Sequence, residues 1–138
     1  MGLFSNKGEI EELKLKMPIK AEFVALVSNT LNEDFEEELL EGNYIMISKS
    51  KVIAITNPEV IIHRDPNQVE VQKENLEVRG ENLVGLGESW INKEILGKLI
   101  EAFVLYEKNY RMFINPRTPF PLLITTYDGN VSIAPVVA

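Results

Sequence analysis

Residues 91–108, INKEILGKLIEAFVLYEK, decide the fold class. Ile91, Ile95, Leu99, Ala102 and Tyr106 recur at helical spacing, and Leu96, Ile100 and Phe103 widen that face. With Ser89 as its cap, the spacing predicts one long helix of roughly 27 Å, enough to cross a small sheet. Its polar face mixes Lys93, Glu94, Lys98 and Glu101 and has no dominant sign.

The texture on either side of this helix is β. NYIMIS (43–48) and KVIAIT (51–56) flank Lys49-Ser50 as a hairpin. EVIIHR (59–64) lies between the turns Asn57-Pro58 and Asp65-Pro66-Asn67, and VEVQ and LEVRG alternate as half-buried strands do. After the helix come YRMFIN, a bend at Pro116, Pro119 and Pro121, and then LLITTY and VSIAPVV around Asp128-Gly129-Asn130. That last pair reads as a second hairpin.

Towards the N-terminus, residues 10–17 alternate from Leu13 onward and predict a short strand. Pro18 then suits the first turn of a helix through KAEFVALVS, although its broad apolar face equally fits a strand. Thr30-Leu31-Asn32-Glu33 matches a capping box, and Gly42 is placed to end the helix it would start. Glu33, Asp34, Glu36, Glu37, Glu38 and Glu41 would form its solvated face. The expectation is an α+β fold of antiparallel sheet with one long helix in the C-terminal half and one or two shorter helices before it. Residues 1–138 are read as one domain, with 1–9 as a flexible lead.

Composition narrows the chemistry. The 138 residues are 45% apolar and 25% charged, the balance of a chain that can bury a core. No cysteine is present, which excludes disulfides and thiolate sites, and a lone histidine, His63, excludes a multi-histidine zinc site within the chain. Fourteen Lys and Arg against 21 Asp and Glu leave a formal charge of −7, which disfavours binding of nucleic acid by bulk charge. No signal peptide, myristoylation pattern or bilayer-length apolar run is seen, and the reading is a cytoplasmic protein without membrane contact.

Several motifs dissolve on inspection. His63-Arg64-Asp65 has the letters of a kinase catalytic loop, but Glu70 stands where that loop needs asparagine. Gly85-Leu86-Gly87 before a helix would need a third glycine at Trp90, so it reads as a strand-to-helix turn. His63 and Asp65 share a strand face with no nucleophile motif nearby. A carboxylate-dependent enzyme therefore ranks behind a non-enzymatic module, and neither cofactor nor metal is expected. One segment runs against the global charge: Lys108, Tyr110, Arg111, Phe113, Arg117 and Phe120 interleave cations with aromatics. Lys108, Tyr110, Arg111 and Arg117 are the candidate nucleic-acid contacts.

The C-terminal residues are more particular: Pro121-Leu122 opening a strand, Asp128-Gly129 at a turn, and Ala134-Pro135. With NYIMISKSKVIAIT before them, they resemble the closing segment of a domain of archaeal and eukaryotic sliding clamps of the proliferating-cell-nuclear-antigen type. The resemblance spans residues 10–137. It implies a clamp-domain-like fold acting in DNA-associated assemblies, with a surface at Pro121, Leu122, Ala134 and Pro135 that receives a protein partner or a second copy. Ser132-Ile133 departs from the Tyr-Leu usual before Ala-Pro. A clamp subunit has two such domains, and its DNA-facing helices are lysine-rich where this helix carries Glu94 and Glu101. These departures bear on encirclement of DNA.

Overall fold

The computed structural model describes residues 21–40, 43–48, 51–58 and 65–136. The fold is α+β. Helix α1 (Ala21–Leu31) precedes strands β1 (Glu36–Leu40), β2 (Asn43–Ser48) and β3 (Lys51–Thr56). Next come β4 (Val69–Val71), a 3-10 turn (Lys73–Asn75), and β5 (Glu77–Arg79), β6 (Leu83–Leu86) and β7 (Ser89–Asn92). Helix α2 (Lys93–Leu105) leads to β8 (Tyr110–Ile114), β9 (Leu122–Thr126) and β10 (Asn130–Ile133). Seven strands form one sheet in the order β1-β2-β3-β10-β9-β8-β4, and β5-β6-β7 form a second. Every neighbouring pair is antiparallel.

The order of the larger sheet contains a repeat. A helix followed by a three-stranded meander occurs twice, as α1-β1-β2-β3 and α2-β8-β9-β10. The two meanders meet at their last strands, with Ile53 opposite Ile133 and Thr56 opposite Asn130. Antiparallel joining of equivalent strands is what a two-fold axis between β3 and β10 produces.

Period-two alternation aims one face of the sheet at the helices. Ile53, Ile55, Met112, Ile114, Leu122, Ile124, Val131 and Ile133 are all buried there. They join Phe23, Val24, Val27 and Leu31 of α1, and Ile95, Leu99 and Phe103 of α2, in one cluster that also takes Val84 and Ile91 from the smaller sheet. Phe23 and Phe103 stack across the helix pair with centroids 6.1 Å apart.

Three expectations need correction. The helix of 91–108 is shorter: it covers 13 residues, about 20 Å. Ile91 is buried, but in β7, where Ser89–Asn92 pairs with Leu83–Leu86. Ser89 is therefore not the cap; the Asn92 side chain accepts the Ile95 N–H at 2.9 Å. At the other end Glu107 turns left-handed at φ 56°, and the Lys108 and Glu107 N–H groups donate to the Phe103 and Val104 carbonyls. That Schellman closure usually carries glycine, whose absence hides the stop. Tyr106, expected on the buried face, is consequently exposed.

The acidic segment is a strand. α1 runs through Thr30 and ends at Asn32, whose φ of 49° and N–H bond to Ser28 O close it. Glu36–Leu40 then pairs residue for residue with Asn43–Ile47 as edge strand β1. Glutamate favours helix in isolation, but the ladder overrides that preference, and charge on an edge discourages further pairing. Finally, Gly85-Leu86-Gly87 turns from strand β6 into strand β7, not into a helix. The strand expected at 10–17, the lead at 1–9 and EVIIHR with His63 lie outside the described residues.

Candidate interaction surface

The resemblance pointed to Pro121, Leu122, Ala134 and Pro135, and the ladder brings these close. Ile133 pairs with Leu122 on one side and Ile53 on the other, so Pro121, Ala134 and Val52 continue the next row across β9, β10 and β3. The Ala134 N–H confirms that row by donating to Val52 O at 2.9 Å. Val52 alternates with buried Ile53 and is exposed. The row therefore lies on the sheet face away from the helices.

Leu122 must be removed from the contact set. Its side chain is fully buried on the helix-facing side, so it supports Pro121 without reaching a partner. Pro135 does not lie on a sheet edge. β10 lies between β3 and β9, and Pro135 follows the end of this central strand. Lacking an N–H, it interrupts donation between Ala134 and Val136. The Val136 N–H then donates to Trp90 O at 2.8 Å, linking the tail to the smaller sheet. The side chain of Val136 stays 41% exposed. Val52 and Trp90 escaped sequence reading as neighbours of the tail, since both are far from it along the chain.

The basic and aromatic segment is organised differently. Lys108 is bound to Asp128 at 2.5 Å. The Arg111 guanidinium donates twice to Glu70, at 3.0 and 2.7 Å, and lies over the Phe113 ring. Hydrogen bonding to that carboxylate pushes the arginine pKa up. Phe113 is buried and Phe120 half-buried. Among these four candidates Arg117 alone is an exposed cation that pairs with no described carboxylate. The segment thus brings two of its three cations, Lys108 and Arg111, to carboxylates.

Tyr110 is half-buried with its ring 6.1 Å from that of Phe103. Burial, then the nearby Glu74 carboxylate, push its phenol pKa up. A raised folded-state pKa means that the unfolded chain releases this proton first. The contribution is complete below about pH 10 and is lost as pH rises through the folded value. Melts at increasing alkalinity should therefore show a steeper decline for the parent than for Tyr110→Phe; identical slopes would contradict this.

Among the described residues no group of three acidic or histidine side chains is placed to hold a metal. No helix among them is long and apolar enough to cross a membrane. Compared with family models, curated proteins and solved structures, the chain matches none.

Proposed function

We propose that the protein is a non-enzymatic interaction module, of clamp-domain-like architecture, that acts in DNA-associated assemblies by protein–protein contact. The observation that carries this reading is the apolar row Pro121–Ala134–Val52 on the sheet face opposite α1 and α2, followed along the chain by Pro135 and exposed Val136. Apolar side chains in a row across three strands offer a partner segment a flat, preformed bed. The clamp part of the reading rests on the quoted residues alone. Encirclement of DNA is not included, because the exposed positions of the helices carry Glu22, Glu94 and Glu101 alongside Lys93.

Two measurements test this. Deleting the tail is uninformative, since Ala134 and Val136 donate to two other strands and the loss would unfold as well as unbind. Val52→Glu with Val136→Glu leaves those backbone bonds in place. The double variant should melt within a few degrees of the parent yet lose the proteins, or the second copy, that associate with it. Retention of the same associations refutes the reading. For DNA, the plot of log affinity against log salt should be nearly flat, because the candidate cations Lys108 and Arg111 are already neutralised. A slope corresponding to several released counterions would favour the nucleic-acid alternative.

A further inference from the structure

Helix α2 has a groove on each side, and the two differ in their cations. On the α1 side, Leu26, Ala102 and Leu105 line the groove together with Lys98 and Lys108. Both lysines are committed, Lys98 to Glu94 and Lys108 to Asp128. The other groove, about 460 Å³, lies between α2 and the 3-10 turn with β6. Leu76, Val84, Leu96 and Ile100 wall it, and Lys73 and Lys93 stand at its rim. Neither lysine has a carboxylate partner among the described residues. Uncommitted cations around an apolar floor are notable in a chain of charge −7.

Gly97 supplies an independent observation. It lines this groove in the interior of α2, where glycine is the worst helix former after proline. A Cβ built there meets no atom within 4 Å. No neighbour requires glycine, so what its absent side chain does is leave the groove open. Local rules of folding are most often broken where function needs it.

The charges have an order along the groove. Lys93 opens α2, and Val104 lies about 17 Å further along the axis. Lys73 belongs to the other end: Val71 pairs with Met112, so Lys73, two residues on, comes beside Tyr110, whose ring lies 6.1 Å from that of Phe103. Glu101 also lines the groove, about 12 Å along the axis from Lys93.

We propose that this groove binds an acidic amphipathic peptide segment of a partner protein. Its apolar side chains lie over Gly97, between Leu96 and Ile100, and its terminal carboxylates reach Lys93 and Lys73. The span of about 17 Å suits three helical turns or about five extended residues. The surface is separate from the Pro121–Ala134–Val52 row, and the proposal stands without it.

The probe is a synthetic peptide of about twelve residues, with glutamates at both ends and leucine and phenylalanine between. Its control carries lysines in place of the glutamates. Titrated into the isotope-labelled full chain, the acidic probe should move the amide signals of Leu76, Val84, Gly97 and Ile100. The basic control should bind at least about tenfold more weakly, as should the acidic probe to Lys73→Glu with Lys93→Glu. Gly97→Leu separates binding from structure: it should raise the melting temperature by improving the helix while weakening the probe at least about tenfold. The proposal is overturned by silent signals up to about 1 mM probe, by equal binding of the basic control, or by unchanged affinity in Gly97→Leu.

Discussion

Phe103→Ala should lower the free energy of unfolding by about 3–5 kcal/mol, against the roughly 5–15 kcal/mol that holds an ordinary domain together. The ring is fully buried, stacked on Phe23 of α1 and tilted against Tyr110 of β8, both at 6.1 Å. Three elements meet on it. Truncation leaves a cavity whose walls belong to different elements, and packed elements relax only partly. Lys98→Ala on the same helix is the control. That side chain is 38% exposed and paired with Glu94 one turn away, and its loss should cost under about 0.5 kcal/mol. Denaturant melts that give equal costs would mean that the buried face of α2 is assigned wrongly.

Gly87→Ala should cost about 3–4 kcal/mol for two reasons that add. The residue has φ 62°, a left-handed conformation that costs any side chain about 1–2 kcal/mol. A Cβ there would also sit 2.1 Å from the Pro116 carbonyl oxygen, which has no room to withdraw. Glu88 N–H donates to that same oxygen at 2.9 Å, and the buried Ser89 hydroxyl meets the Asn115 and Thr118 carbonyl oxygens at 2.5 and 2.8 Å. The three consecutive residues thereby fasten the β6–β7 hairpin to the loop after β8. Gly80 isolates the conformational part. Its φ of 64° is nearly the same, but a Cβ there meets nothing within 4 Å. Gly80→Ala should cost only about 1–2 kcal/mol. If the two substitutions prove equally costly, the close approach to Pro116 contributes nothing.

The proposed interaction surface was half legible. Pro121 and Ala134 are recognisable because proline and the chain order around it carry their own conformational signature, whereas Leu122 shares that signature and turns inward. Which of two adjacent residues faces out depends on the parity of the strand, and that is set by pairing with β10. Lys108 and Arg111 show the same gap. Their spacing with aromatics suggested a nucleic-acid face, but Asp128 and Glu70, which neutralise them, arrive from the β9–β10 turn and from β4.

What the amino-acid sequence determined by itself is the type of most elements. Short apolar runs bounded by turns in 51–56, 110–114 and 122–126, alternation in 130–133, and helical spacing across Ile95, Leu99 and Phe103 are properties of neighbours along the chain, and the solvent-exposed alternative is unfavourable for each. Tertiary structure decided the remainder, because it depends on pairings that span the chain. Glu36–Leu40 is a strand because β2 offers it a ladder, and Ser89–Asn92 is withheld from α2 because β6 does the same. The doubling of the helix–meander unit is invisible in the residues, since α1 and α2 share an apolar face and little else. It exists only once β3 and β10 lie side by side, where buried backbone groups must find partners and any residue can provide them.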